Sequence, residues 1–338
     1  MPVLQSVATL GGTASHVKVG KVGHGLMMMT WTPKPTPDEV AFEAIKAGVD
    51  SLPPGVKMYL NSGEFYAQDF GPANLQLLAR FFDKYPEYAE RTFLSVKVRP
   101  LGVPENLRRS VTAINAALRG TKRLDLFQCA RVDPAHPIEE TIGILKGFVE
   151  EGLLDHIGMS ECSAATLRRG NTVHPITAVE IEVSPWSMEE ETKNVIATAA
   201  ELGIAVIGYA PLGRGFLTGE IKSPDDLPEG DMRRMFTRFR DPEAFKANLV
   251  LVDALRAIAE KKGRSAAELC IAFVASLGPN VIALPGSSKA SRTVQNSYAA
   301  DVELTKAELD EIWGIINGYE VKGDRYFGAD PKAMHLWG

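Results

Sequence analysis

The sequence predicts a parallel α/β chain closed into a (β/α)8 TIM barrel, with an N-terminal β-hairpin before it and an extra C-terminal helix after it. Short apolar, β-branched runs alternate with amphipathic stretches along most of the chain, the pattern of strands joined by crossover helices. No G-x-G-x-x-G or Walker sequence follows the first strand, where a doubly wound nucleotide-binding sheet would carry one. The run Phe93-Leu94-Ser95-Val96-Lys97-Val98 sets a lysine at the C-terminal end of a buried strand, and in a barrel that end is the catalytic face. The 338 residues are read as one domain, with its core from about Val17 to Tyr319 and a tail, 320–338, near the active site.

In order, Val3 to Leu10 and His16 to Val22 form a hairpin around Gly11-Gly12-Thr13, placed to plug the bottom of the barrel. Val22 to Leu26 is the first core strand, and Met27 to Trp31 the loop after it. Asp38 caps a helix running to Ala47. Pro53-Pro54-Gly55 breaks structure before the second strand, Met58 to Asn61. Helix and strand then alternate: Ala73 to Phe82, Phe93 to Val98, Pro104 to Leu118, Leu124 to Ala130 and Pro137 to Glu151. Pro104 and Pro137 each suit a helix's first turn. The alternation continues with the strand His156 to Ser160, a helix from Ala164, the strand Ala178 to Val183, the helix Glu189 to Leu202 and the strand Ile204 to Tyr209. The connection Pro211 to Pro242 is long for a loop and therefore reads as functional or partly mobile. Helices at Phe245 to Lys262 and Ser265 to Leu277 precede the eighth strand, Val281 to Pro285, and helices at Ser291 to Tyr298 and Thr305 to Asn317 close the pattern. The tail from Gly318 has no periodicity.

Composition narrows the function. A hydrophobic content of 45%, a charged content of 23%, a net charge of −5 and a pI near 5.8 describe an ordinary globular chain and argue against nucleic acid or an anionic membrane as partner. No run reaches the roughly 20 apolar residues of a membrane span, and Met1 to Lys18 lacks the basic start and apolar core of a signal peptide. Cys129, Cys162 and Cys270 have no metal-ligand spacing and read as free thiols in a reducing compartment, so no metal is expected and the location is cytoplasmic or nuclear. The oligomeric state is not legible.

The chemistry centres on Lys97 and on Tyr66, which follows the second strand in Asn61-Ser62-Gly63-Glu64-Phe65-Tyr66. A phenol is a weak acid, with an ordinary pKa of about 10. A neighbouring ammonium favours the phenolate and brings the phenol towards the range of a general acid.

Taken together, this stretch, Lys97, Gly158-Met159-Ser160-Glu161, the run Gly208 to Gly219 (GYAPLGRGFLTG) and Leu284-Pro285-Gly286-Ser287-Ser288 with Gln295-Asn296 resemble the ordered motifs of the aldo-keto reductase superfamily. Thr30-Trp31, Gly63 to Tyr66, Ala73-Asn74-Leu75 and Leu126 to Asp133 (LFQCARVD) resemble its fungal pyridoxal reductase branch. The resemblance implies NADPH-dependent reduction of an aldehyde, pyridoxal to pyridoxine, with Tyr66 as proton donor and Lys97 as its tuner. A general reductase of other small carbonyl substrates, or a cofactor-binding regulatory barrel subunit with little turnover, are the alternatives.

Two positions depart from the family pattern. Asn61 stands where an aspartate is usual, which leaves Lys97 less charge-compensated and favours a lower Tyr66 pKa. Ala130 stands where a histidine is common, with Arg131 beside it. Arg131 reads equally as a carbonyl-orienting group and as a partner of Asp133 or Asp125.

For the cofactor, the resemblance implies Tyr209 stacked on the nicotinamide, Ser160, Glu161 and Glu180 at its carboxamide, and Gln295 and Asn296 at the adenine. Leu212, Gly213 and Arg214 form a flexible, cation-bearing loop suited to the pyrophosphate. Ser287, Ser288, Lys289 and Arg292 cluster at a helix start, an anion site whose basicity favours a 2′-phosphate and hence NADPH over NADH. His24 reads as a hydrogen-bonded core residue and the Met27 to Met29 run as gap filler. Trp31, Phe65 and Tyr326 are candidate pocket walls, with Arg233, Arg234, Phe236 and Phe327 as further candidates.

Overall fold

The computed structural model describes residues 4–99, 103–326 and 336–338. Strands β1 (Val7–Thr9) and β2 (Lys18–Gly20) pair antiparallel as the hairpin, joined through a short 3-10 turn at Gly12–Ala14. After β3 (His24–Gly25), one helical turn α1 (Met27–Thr30) and the helix α2 (Asp38–Asp50), the barrel alternation begins. It runs β4 (Met58–Gly63), α3 (Ala73–Lys84), β5 (Thr92–Val98), α4 (Pro104–Leu118), β6 (Leu126–Cys129), α5 (Ile138–Glu150), β7 (His156–Ser160), α6 (Ala164–Val173), β8 (Ala178–Glu182), α7 (Glu190–Leu202) and β9 (Ala205–Tyr209). Then follow α8 (Thr237–Arg240), α9 (Pro242–Lys261), α10 (Ala266–Ser276), β10 (Val281–Leu284), α11 (Ala290–Ala299) and α12 (Lys306–Gly318). Local chemistry sets these bounds: Pro104 lies in the first turn of α4, and capping boxes at Ser265/Glu268 and Thr305/Glu308 open α10 and α12.

Strands β3 to β10 are parallel and in sequence order. Bridges Val22↔Ala283 and Gly25↔Gly286 bring the last strand back to the first and close the barrel. Because side chains alternate along a strand, each strand sends every second residue inward. Tyr59, Phe93, Leu126, Ala178, Ala205 and Ile282 pack at the N-terminal end of the interior, together with Leu10, Ala14 and Val19 of the hairpin. The hairpin therefore plugs the bottom: Gly11 N donates to Thr177 O at 3.0 Å, and a Cβ on Gly11 would stand 2.3 Å from Gly203 O. The same alternation carried upward gives Asn61, Lys97, Gln128, Ser160, Glu180, Glu182 and Tyr209. The interior is apolar at its floor and polar at its mouth.

Several expectations change in detail. The first core strand, expected over Val22 to Leu26, is a two-residue ladder supplemented by single bridges, because glycines on both sides of the seam limit side-chain pairing. Asp38 does not cap α2 with its side chain; it takes a bidentate ion pair from Arg80 at 2.6 and 2.8 Å instead. The Met27 to Trp31 loop contains the helical turn α1. The long connection after β9 is built from short 3-10 turns and α8, with Asp231 capping one turn and Asp241 capping α9. Val3 and Phe327 lie outside the described residues, in which no helix is long and apolar enough to cross a membrane.

Candidate active site

Lys97, at the top of β5, is buried inside the barrel mouth. Its Nζ donates to Asn61 Oδ1 of β4 at 2.5 Å and to Glu180 Oε1 of β8 at 2.6 Å. Asn61 Nδ2 donates to the other Glu180 oxygen at 2.7 Å, and Gln128 Nε2 of β6 donates to the same oxygen at 2.6 Å. Gln128 also reaches Ser95 Oγ at 3.2 Å. The sequence reading set Glu180 at a carboxamide with Ser160 and Glu161. In the structure it reaches across the lumen to Lys97, because it shares the inward parity of Ala178 and is long enough to do so. Gln128 and Ser95 were not singled out in the sequence. The signal was present: each is a lone polar residue at an inward position of an apolar strand.

Tyr66 sits on the turn that follows β4, with its ring against Gly63, where an added Cβ would come within 2.7 Å of it. Asn74 of α3 fixes this turn: its Nδ2 donates to Leu26 O and to Thr30 Oγ1 at 2.9 and 2.8 Å, and Thr30 Oγ1 donates to Tyr66 O at 2.6 Å. Lys97 Nζ lies 5.5 Å from the centre of the Tyr66 ring. The sequence reading expected a lowered Tyr66 pKa. Burial raises it, the Lys97 charge lowers it and the Glu180 charge raises it again, with a net rise above the ordinary phenol value. Burial is the largest of these causes, and Glu180, which supplies the compensating charge that Asn61 lacks, adds to it. For Lys97, burial opposes the charged form, but Glu180 and Tyr66 outweigh it, so its pKa stands above the ordinary lysine value.

Aromatic rings wall the space beside Tyr66. Trp31 meets Phe65 edge-on at 5.8 Å and tilts over Tyr66 at 5.8 Å, and Phe65 meets Tyr66 edge-on at 5.3 Å. The structure thus brings Trp31 and Phe65, both candidate pocket walls, into contact. Phe70 joins them at 5.7 Å from Trp31, with the Arg99 guanidinium 4.3 Å from its ring centre. Loop positions of this kind carry no periodicity, so Phe70 and Arg99 have no signature in the sequence.

A second charged cluster occupies the mouth across from Lys97. Arg325 Nη2 donates to Glu161 Oε1 at 2.9 Å, and Arg325 Nε donates to Glu182 Oε2 at 2.9 Å. Arg214 Nη2 donates to Glu182 Oε2 at 3.0 Å. Burial raises the Glu182 pKa, but the two guanidiniums overcome it and hold the carboxyl down at about 2. The Tyr209 phenol donates to Glu161 Oε1 at 2.8 Å and lies 2.7 Å from the Tyr326 hydroxyl. Tyr326 in turn packs under Arg131 and Arg214, at 5.3 and 4.6 Å from its ring centre. Tyr326, a candidate pocket wall, therefore joins this cluster. Arg131 is turned toward this tail residue, while Asp125 pairs with Lys122 at 2.8 Å and Asp133 accepts from Ala135 N at 2.9 Å. Ser160 lines a cavity with Cys129, Arg131 and Met159.

The remaining candidates frame the far side. Gly213, with φ of 54°, packs against the Trp186 indole, 2.8 Å from where its Cβ would stand, so its close approach is to that ring. Leu212 precedes it, and Arg214 itself holds a left-handed φ of 58°. Arg233 pairs with Asp231 at 2.6 Å and its Nη1 donates to Arg214 O at 2.8 Å; Arg234 is tied to Leu227 O, and Phe236 meets Tyr326 edge-on. At α11, Lys289 is the residue before the first turn and its N donates to Ser287 Oγ at 3.3 Å. Ser288 and Arg292 flank it, and Arg292 stands 3.9 Å from Glu220 with both side chains more than half exposed. Gln295 is exposed and Asn296 buried on the same helix. The Lys289 and Arg292 cations beside the N-terminal turn of α11 are donors of the kind that phosphate groups require, so these residues fit a phosphate-bearing cofactor, while Arg214 is held by Glu182. His24 is core, its Nε2 2.7 Å from Ser287 O.

The aldo/keto reductase family model matches residues 21–317 of this sequence. Probable pyridoxal reductase 2 of Schizosaccharomyces pombe is 39% identical over 320 residues, covering 91% of this chain and 95% of its own. An uncharacterized oxidoreductase of the same yeast is 34% identical, covering 89% and 88% respectively. Among solved structures, the glycerol dehydrogenase AKR11B4 of Gluconobacter oxydans superposes with a TM-score of 0.77 at 22% identity, covering 96% of this chain and 99% of that one. The thermostable aldo-keto reductase Tm1743, solved with the inhibitor epalrestat, gives 0.69 at 20%, covering 92% and 100%. At those identities the two structures speak for the barrel alone.

Proposed function

The chain belongs to the aldo/keto reductase family, whose members reduce carbonyl compounds with NAD(P)H, and from that premise we propose that it is an NADPH-dependent aldehyde reductase acting on pyridoxal. The observation that carries the chemistry is the buried Lys97 ammonium beside the Tyr66 ring at the barrel mouth.

A bound reduced nicotinamide supplies the hydride to the carbonyl carbon. Tyr66 gives its phenolic proton to the carbonyl oxygen as that oxygen gains charge, and the alcohol leaves. Solvent returns the proton to Tyr66, so one aldehyde, one reduced cofactor and one proton are consumed per turnover. Lys97 keeps its charge throughout and stabilises both the phenolate and the developing alkoxide. Burial raises the Tyr66 pKa, so the phenol is held protonated as a donor until substrate charge develops. Trp31 and Phe65 present flat apolar faces that suit a planar pyridine ring and shed water from the reacting carbonyl. Arg99, 4.3 Å from the centre of the Phe70 ring, and Arg131 would offer cations to the phenolate oxygen of such a ring. Arg214, Ser287, Ser288, Lys289 and Arg292 would hold the phosphates, Tyr209 and Ser160 the nicotinamide end, and Gln295 and Asn296 the adenine.

The test is the fall in NADPH absorbance with pyridoxal set against a panel of small aromatic and aliphatic aldehydes. Preference for pyridoxal supports the reading. Turnover of other aldehydes but not pyridoxal leaves the reductase and removes its substrate. One observation favours a second reading, a cofactor-binding regulatory subunit: Tyr209 is already engaged by Glu161 and Tyr326. Tight NADPH binding without turnover on any aldehyde would select it.

A further inference from the structure

We propose that Glu180 is the positioning residue of the site, the carboxylate that holds Lys97 charged and aimed at Tyr66. The proposal rests on the reading of Tyr66 and Lys97 just given and adds a residue to it.

The argument is one of charge and geometry. A lysine ammonium sealed from water loses its proton unless an anion compensates it. Asn61 is neutral and offers Lys97 one amide oxygen. Glu180 is the carboxylate in contact with the ammonium, at 2.6 Å, and it is itself 2% exposed. It does not arrive from a neighbouring strand: β6 and β7 separate β5 from β8 in the sheet, so the side chain reaches across the lumen. Both of its oxygens are engaged, one by Lys97 and the other by Asn61 and Gln128. The Asn61 amide therefore acts as a bridge, accepting from Lys97 through oxygen and donating to Glu180 through nitrogen. That double contact fixes which way the amide points and leaves the ammonium two of its three protons spent away from Tyr66. The third N–H is left for the phenol, whose ring centre lies 5.5 Å from Nζ. A carboxylate held this way sets both the charge of Lys97 and the direction of its last proton.

Two variants test this. Glu180→Gln keeps the shape and removes the charge. It is expected to lower kcat by roughly ten- to a hundredfold, the scale of losing a group that orients another, with KM for the aldehyde little changed, and to lower the melting temperature. Asn61→Asp combined with Glu180→Gln exchanges the two partners in place: Lys97 again meets one carboxylate and one amide, and the two still hydrogen-bond to each other. Gln128 can turn its amide to suit, since its Oε1 now has no partner. The exchange is expected to restore most of both kcat and melting temperature.

An unchanged kcat in Glu180→Gln overturns the proposal. So does an exchange variant that stays as slow as the single variant, or a failure of both variants to fold, because the exchange keeps the charge balance said to suffice. If the wild type reduces no aldehyde, the proposed function fails by itself; the melting temperatures then still decide whether Glu180 holds Lys97, by falling in the single variant and recovering in the exchange.

Discussion

The role proposed for Tyr66 depends on what surrounds it. Its ring is clamped by Gly63 beneath and Trp31 and Phe65 beside it, and its carbonyl is tied down by Thr30. In the proposed reaction the phenol is held still for the approaching carbonyl oxygen, with the Lys97 ammonium 5.5 Å from its ring centre before substrate arrives. Preorganised dipoles and charges of this kind are worth more inside the barrel than in water, since the interior screens them less. The same low polarity would neutralise Lys97 without Glu180. Residues at this scale were partly legible. Tyr66, Lys97 and Asn61 stand out because a polar residue at the end of an apolar strand has no packing use. That Glu180 rather than Asn61 carries the compensating charge was not legible, because it depends on which inward side chains meet across the lumen. Gln128 and Ser95 share that reason.

At the scale of elements, α11 and the C-terminal strap do different work. The N-terminal turn of α11 offers free backbone N–H groups with Lys289 and Arg292 beside them, and the exposed Arg292–Glu220 contact, at 3.9 Å, is worth little and yields readily to a stronger anion. Arg292→Ala is therefore expected to weaken NADPH binding about tenfold or more while leaving NADH nearly unchanged, read by fluorescence titration of each cofactor; equal losses for both would remove the 2′-phosphate from this helix. The strap after α12 returns across the barrel mouth. Asn248 of α9 anchors it, donating to Lys322 O and accepting from Lys322 N at 2.9 Å each, and Arg325 then enters between Glu161 and Glu182. Removing one partner of a buried ion pair leaves charge uncompensated. Arg325→Ala is expected to cost about 3 kcal/mol in urea unfolding, with Glu182 still paired to Arg214; a change near zero would mean that the strap is not seated in the mouth. The helices on the barrel wall were legible from their period and from Pro104 in the first turn of α4, though the expected Asp38 cap does not form. The strap was not, because its hold comes from single long side chains and not from a repeating pattern.

The molecule as a whole closes at a narrow seam. β3 contributes two ladder residues, the last strand meets it through single bridges, and His24 stands inside that junction with Nε2 on Ser287 O and no partner at Nδ1. Burial holds the His24 pKa down at about 4, against an ordinary 6.5. The unfolded chain then takes up the proton first as the pH falls. The histidine's contribution is whole above pH 6.5 and declines towards pH 4, by about 3 kcal/mol across that window if the unfolded value is ordinary. Thermal unfolding is expected to show this decline, and His24→Gln to flatten it relative to the wild type; an equal slope in both would place the acid sensitivity elsewhere. The barrel was legible because eight strands must each show an inward and an outward face, and the hairpin plug because its apolar residues had no other surface to cover. The weak seam was not, since it rests on two single bridges, Val22↔Ala283 and Gly25↔Gly286, between segments distant in sequence.

The central claim is that Tyr66 delivers the proton. The measurement that tests it most directly is aldehyde-dependent NADPH oxidation by Tyr66→Phe beside the wild type, with NADPH affinity measured on both. The variant should bind NADPH as the wild type does and lose turnover by on the order of 10²- to 10⁴-fold, the usual share of a general acid. Turnover near that of the wild type, with cofactor affinity intact, would contradict the account and take Tyr66 out of the reaction.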